Sequence, residues 1–548
     1  MFRYIYPLIF IIFSGVLISS CKDSDEPLDT EAPVVIVKSQ SENQKVAGTI
    51  TIEATANDRS TELSMQVFLD GGLVYESEGG LISTQVDTKT LTEGIHNIKI
   101  VAMDKAGNIS EKTFNVDVRN ILFKVQISSN YVGENIQIYF GLSQNDGTPI
   151  ALNKVENDGT ITVPTPSGFN PDSSFVFTQY FYLNTSKIGN SPGTLFRTMS
   201  VYAGLNVGEF KVAEFPVSLP VKGTHHLEIT EVPTNYLAAS LQGNNMGSWA
   251  GHFGNSGEIS LDLSLTNTMS DLYFWLNRSE TEAPVYNHIN SILLGESTHF
   301  SVTDLPQMEQ GLITTNDIAA HYDYTIYNDG PGSQDIVFSG SGNFDNGKLP
   351  VYYPGSIYPK YVFELGYQLG DNSYTNRVKG ETPPSSFQNL NAAVSNVNYA
   401  NRKLKVTSTG KFDFVFVTGR TTTFTSDLYK SDGYTVCFPN GKKNQITIPT
   451  LPAELLSLEF KSPTEFVFEN ATIYDFLELS GASDYQSKIV FSADNVLLQY
   501  RDFIASNSRI TPTSSGGRLS THNKMTLPKS AEGILQNYFH LNEFGFFH

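Results

Sequence analysis

Gly94-Ile95-His96-Asn97-Ile98-Lys99-Ile100-Val101-Ala102, running straight into Met103-Asp104-Lys105-Ala106-Gly107-Asn108, is the stretch that decides how this 548-residue chain folds. The first part alternates with a period of two, which puts His96, Ile98 and Ile100 on one side of a strand and predicts a packed, partly buried histidine. The second part reads as a turn. The Asp104 carboxylate can accept hydrogen bonds from backbone amides across it, Gly107 can take a positive φ, and Asn108 tolerates one.

The flanking residues carry the same pattern. Val34 to Val37 is a compact apolar run, Thr49 to Ala54 alternates, and Met65 to Leu69 runs into Asp70-Gly71-Gly72, a hairpin signal because glycine accepts the positive φ the turn demands. Lys112 to Val118 supplies a last strand. Together with Leu91-Thr92-Glu93-Gly94 and Phe68-Leu69-Asp70-Gly71, these residues closely resemble bacterial immunoglobulin-like domains over residues 32–118. The resemblance implies a disulfide-free β-sandwich that serves as a spacer or carrier beside a functional module. A calcium role for Asp104 stays open as an alternative, but calcium takes about six to eight oxygen ligands and the turn shows too few, so no metal site is assigned.

Beyond Asn120 no family is recognised, yet the local signals stay uniform. Asn135 to Phe140, Ser174 to Tyr182 and Glu258-Ile259-Ser260-Leu261-Asp262-Leu263-Ser264-Leu265 read as strands, the last with nearly perfect alternation. Tyr361 to Leu365, Phe412 to Val417 and Glu465 to Phe468 read likewise, with turns at Asn145-Asp146-Gly147 and Asn157-Asp158-Gly159. Helical periodicity is confined to Pro452 to Leu458, Val496 to Ile504 and Ser530 to Asn537, each too short to cover a parallel sheet. Rossmann and TIM-barrel architectures are therefore disfavoured. The expected fold is all-β, with tandem antiparallel β-sandwich domains, the first immunoglobulin-like. Proline-bearing joints at Pro216 to Thr224 and Leu305 to Gly311 divide the remainder into sandwiches over 121–220 and 224–310, and one or two further β-rich domains over 311–548.

Residues 1–20 combine Arg3, an apolar run from Tyr4 to Leu17 and the small residues Ser19-Ser20 before Cys21, the layout of a secretory signal ending at a lipidated cysteine. Lys22-Asp23-Ser24-Asp25-Glu26 resembles the export tag of surface lipoproteins of the Bacteroidota, and residues 21–31 read as an acidic tether. The expected address is the outer membrane, lipid-anchored through Cys21 and facing the cell exterior, with the membrane touched by that anchor alone. Lys and Arg number 36 against 56 Asp and Glu, a formal net charge of -20, which repels phosphates and makes nucleic acid an unsuitable partner. With Cys21 acylated, Cys437 has no disulfide partner and reads as a small buried hydrophobe.

Catalytic residues are not identified and no cofactor is implied, because metal-ligand, nucleophile-elbow and phosphate-loop motifs are missing. Adjacent His225 and His226 would face opposite sides of a strand, and His288 and His299 read as loop residues. A carboxylate pair for a glycan hydrolase cannot be found from sequence spacing in a β fold. One cluster has ligand-binding composition: Gly243 to Asn255 carries Asn245, Trp249, His252 and Phe253, aromatic faces to stack on sugar C-H faces and polar groups to bond hydroxyls. In the alternative, Trp249 plugs the end of a sandwich. Tyr352-Tyr353-Pro354-Gly355, Tyr358 and Tyr361 form a second aromatic candidate, while Trp275, in Leu272-Tyr273-Phe274-Trp275-Leu276, reads as core. The expectation is non-catalytic binding of a polysaccharide or glycoprotein, with a structural or adhesive protein contacting other cell-envelope proteins as the alternative. Tyr538 to His548, aromatic to the end, reads as a docked terminal strand.

Overall fold

The computed structural model describes residues 29–476 and 503–509, together with Val490. Within that span it leaves out 130, 134, 188–191, 213–220, 243–248, 252–256, 266–267, 280–281, 315–321, 329–335, 344–346, 370–371, 388–389 and 441–443. Among the described residues nearly all regular structure is strand, and the longest α-helix is Ala453–Leu456, inside the Pro452 to Leu458 candidate. The second helical candidate is corrected in part, since Phe503 and Ile504 open the strand Phe503–Arg509. Cys21, the terminal aromatic run and the candidate Ser530 to Asn537 lie outside the described residues.

The chain divides into two compact units, the first made of residues up to Ile121 with Pro164–Asp172. Its three-stranded sheet pairs Val34–Val37 and Leu81–Asp87 with Thr49–Asn57, and its five-stranded sheet runs Gln44–Val46, Ile109–Val118, Gly94–Asp104, Leu63–Leu69, Gly72–Glu78. Alternation along each strand sends one side chain in two inward, so that Ile52, Ala54 and Ile82 from one sheet meet Met65, Val67, Ile98, Ile100, Ala102 and Val116 from the other. Truncating one of the larger members to alanine is expected to cost about 2–5 kcal/mol. His96 is 8% exposed and shares the inward row of Ile98 and Ile100, as its place in the alternation requires. The hairpin at Asp70-Gly71 has positive φ at both positions, 49° and 82°.

The second unit contains a 12-stranded sheet. A parallel ladder between its fourth and fifth strands joins Gly193–Leu205 to Leu428–Pro439, setting Thr194 beside Tyr429 and Tyr202 beside Cys437. This ladder ties the segment 121–220 to part of 311–548, so those expected sandwiches share a sheet. The reason is physical: each long strand carries unpaired backbone N–H and C=O groups along its edges, and this ladder satisfies one edge of each. On one face Tyr180, Met199, Val201, Tyr434, Val436 and Phe438 form a core with Phe460, Phe466 and Phe468. Cys437 is fully buried.

Within the same unit, Trp249–Gly251, Ala238–Gln242, Met269–Asn277 and Val285–Leu293 make a four-stranded antiparallel sheet. The apolar run Leu272 to Leu276 is a strand buried on both faces. Leu272, Phe274 and Leu276 join one core, with Leu227, Ile229, Leu241 and Leu263, while Tyr273 and Trp275 join another, with Tyr322, Phe338, Tyr353 and Tyr361.

Candidate functional site

The face carrying Tyr273 and Trp275 is where aromatic and ionisable groups accumulate. The antiparallel register sets Tyr273 opposite His288 and Trp275 opposite Tyr286. The segment after the strand Lys348–Tyr353 then lays Tyr358 against them: its ring centroid is 5.2 Å from His288, 6.5 Å from Tyr273 and 5.8 Å from Tyr361. Tyr273 and Tyr286 stack at 6.3 Å. Two hydroxyls are committed internally, since Tyr361 Oη donates to the Gly355 carbonyl at 2.7 Å and Tyr353 Oη donates to Glu309 Oε2 at 2.9 Å. Tyr273 is 3% exposed, and neither its hydroxyl nor His288 Nε2 has a hydrogen-bond partner among the described residues. Asp271 Oδ2 lies 3.8 Å from His288 Nε2. Burial, reinforced by the neighbouring Tyr358, Tyr361 and Tyr286 phenols, holds the Tyr273 hydroxyl well above its ordinary pKa, so it stays a protonated donor. Tyr286, His288, Tyr352 and Tyr358 are half-buried at the rim and Glu309 is exposed.

The turn at Asp104 is the other place where functional groups converge. Gly107 has a φ of 91°. The Asn108 amide donates to Asp104 Oδ1 at 2.8 Å, and the Asn108 side chain donates to Asp104 Oδ2 at 2.8 Å and to the Asp29 carbonyl at 3.0 Å. Burial would raise the Asp104 pKa, but the Asn108 side chain and the amides of Asn108, Gly107 and Ala106 outweigh it and hold the carboxyl below its ordinary value. Asp29, Asp58 and Asp104 each bring a ligand oxygen within 4.8 Å of the others. Linear spacing gave no sign of Asp29 and Asp58. Three carboxylates fall short of the roughly six to eight oxygens calcium takes, and those of Asp104 already accept from Asn108.

Residues 33–100 match the family model described as a bacterial Ig domain. These residues form a bacterial Ig domain. The strand Ile109–Val118, beyond the matched span, completes the Ig domain's larger sheet. No curated protein sequence matches the chain. Among solved structures, the endo-beta-1,4-mannanase from Thermotoga petrophila is 15% identical over 16% of this chain and 20% of that one, with a TM-score of 0.14. This chain thus spans a fifth of the mannanase. A tetra-tandem repeat from the extending region of a large adhesion protein is 14% identical over 64% of this chain and 99% of that one, with a TM-score of 0.16. SGBP-B of a Bacteroides ovatus mixed-linkage glucan utilization locus, in complex with a mixed-linkage heptasaccharide, is 12% identical over 59% and 92%, with a TM-score of 0.14. Superpositions with scores of this size carry no inference about the ligand of this chain.

Of the first aromatic cluster, Asn245, His252 and Phe253 lie outside the described residues, and Trp249 is described by its backbone, which pairs with Leu241 in the four-stranded sheet. Of the second, Tyr353 and Tyr361 are buried, whereas Tyr352 and Tyr358 reach the surface. The two stretches stand in different sheets: Trp249–Gly251 is in the four-stranded sheet, while Lys348–Tyr353 pairs in a two-stranded sheet and Tyr361–Leu369 in the 12-stranded one. Tyr273 and His288 were missed, Tyr273 because an apolar run hides a polar hydroxyl and His288 because it read as a loop residue; both His288 and His299 stand in strands. His225 is buried, its Nδ1 2.8 Å from the Leu293 carbonyl, while His226 faces outward to Asp262, so the two do face opposite sides.

Proposed function

We propose that the chain is a non-catalytic surface-binding lipoprotein that holds a polysaccharide or glycoprotein at the outer face of the outer membrane. In this reading the Ig domain is a spacer between the lipid anchor at Cys21 and the binding region. The observation that carries it is the patch in which half-buried Tyr286, His288 and Tyr358 surround the buried Tyr273, combining partly exposed rings with hydrogen-bonding groups and the nearby carboxylates of Asp271 and Glu309. Rings of this kind stack on the C-H faces of sugars while the polar groups meet hydroxyls. Affinity electrophoresis through gels carrying neutral polysaccharides tests the function. Retarded migration on at least one glycan is expected, and unchanged migration on all of them would exclude glycan binding.

A second reading, a structural or adhesive protein contacting other envelope proteins, is favoured by the edge strand Gly72–Glu78. It ends the five-stranded sheet and exposes Leu73, Val74 and Tyr75, a free ladder edge with apolar side chains. That reading predicts co-purified envelope proteins and no glycan retention.

A further inference from the structure

We infer that the ligand of the aromatic patch is a non-anionic, hydroxyl-bearing ring, hydrogen-bonded by Tyr273 Oη and His288 Nε2 and stacked on Tyr286 or Tyr358. This rests on the binding function proposed above and assigns the residues that would select its ligand. A buried hydroxyl without a partner costs stability, so its retention asks for an explanation, and a ligand acceptor is one. Tyr273 Oη has that character at 3% exposure, whereas the adjacent Tyr353 and Tyr361 hydroxyls are bonded to Glu309 and Gly355. His288 Nε2 and Trp275 Nε1 are further buried atoms of this kind, and the 3.8 Å separation of His288 Nε2 from Asp271 is too long for a hydrogen bond. The half-buried Tyr286 ring, parallel to the buried Tyr273 ring, and the half-buried Tyr358 ring beside His288 give the flat apolar surface that a pyranose face needs. Asp271 and Glu309 border the patch, and their charge disfavours a uronate or sulfated sugar.

The test uses the full chain purified in mild detergent, with a neutral β-glucan, a mannan, a xyloglucan and polygalacturonate as probes. The wild type should be retarded by at least one neutral polymer and not by polygalacturonate. Tyr273→Phe and His288→Leu should each weaken that binding by on the order of tenfold. Tyr273→Phe removes one oxygen that has no internal partner, so its unfolding midpoint without ligand should be unchanged or higher. Retention on polygalacturonate, or unchanged binding in both variants, would overturn the inference and leave glycan binding in place. A lower midpoint for Tyr273→Phe would overturn it too, since the hydroxyl would then be structural. Retention of the wild type on no probe at all would remove the binding function and this inference together.

Discussion

His96 Nδ1 lies 2.6 Å from Asp70 Oδ2, and the other ring nitrogen lies 2.8 Å from the Thr92 carbonyl oxygen. Both partners are acceptors, so the ring is best satisfied when both nitrogens carry protons. The pair ties the Asp70-Gly71 hairpin to the loop before the strand Gly94–Asp104, and Asp70 also accepts from the Asn97 amide at 2.9 Å.

Burial alone would lower the His96 pKa, but the bonds to Asp70 and Thr92 outweigh it and hold the value above normal. Stability from His96 is therefore fully present below about pH 6.5, the unfolded value, and is lost as pH rises through the raised folded value. For Asp70, the bonds from His96 and the Asn97 amide hold the pKa low. Its contribution is present above about pH 3.9 and is lost as pH falls through its lowered folded value. His96→Gln should destabilise the Ig domain by about 1 kcal/mol near pH 6, a modest figure because Asp70 is half-exposed to solvent. The deficit should shrink toward pH 9. Hydrogen exchange of the Leu63–Asp104 segment, wild type against variant at each pH, measures it; a deficit that stays constant would contradict the assignment.

Glycine conformation separates two kinds of turn. Gly107 has a φ of 91° with open space where a Cβ would stand, so Gly107→Ala should cost only the left-handed strain, about 1 kcal/mol. Gly410 has a φ of 89°, but its Cβ would fall on the Asn391 backbone carbonyl, so Gly410→Ala should cost on the order of 3 kcal/mol or more. Calorimetry of the full chain should show the larger shift in the Gly410→Ala variant.

The parallel ladder inside the 12-stranded sheet has its own ion pair. Arg197 Nε lies 2.6 Å from Asp432 Oδ1, with side chains 2% and 14% exposed, and Arg197 also donates to the Leu458 carbonyl at 3.2 Å. Arg197→Leu would strand the Asp432 carboxylate and should cost about 3–5 kcal/mol. Arg197→Leu with Asp432→Leu should recover much of the loss, because burying the two charges also carries a desolvation cost. Denaturant unfolding of the two single variants and the double gives the coupling, and independent, additive losses would argue against this register.

Period-two patterning made the strands legible: Glu258–Leu265 has the bounds its alternation predicted, and the Asp104 to Asn108 turn forms the bonds its residue types allow. Alternation reports which side chains face a core, not which strand lies alongside, and so the pairing of Gly193–Leu205 with Leu428–Pro439 left no local trace. Glu465 to Phe468 shows the converse. Its alternating aromatics are buried, Phe466 stacking on Tyr434 at 4.0 Å, but the segment packs without joining a ladder, and the strand begins at Asn470. The candidate site was legible only in its Tyr352 to Tyr361 half. Its other half depends on a register that sets Tyr273 opposite His288, which residue types alone do not specify.

The lipoprotein address proposed for Arg3 to Glu26 makes a prediction independent of the fold. If Cys21 is the acylated residue, Cys21→Ala should abolish incorporation of labelled fatty acid and release the chain from the membrane fraction, because nothing else in the expected architecture anchors it. Cys437 provides the internal control: it is fully buried and should take up neither lipid nor maleimide until the chain is denatured. Replacing Asp23, Asp25 and Glu26 by alanine, with Cys21 intact, should keep the lipid but retain the protein on the periplasmic side, where protease added to intact cells cannot reach it. Lipid label persisting in Cys21→Ala would remove the anchor assignment. Protease sensitivity unchanged by the triple substitution would remove the export role of the acidic residues while leaving the anchor in place.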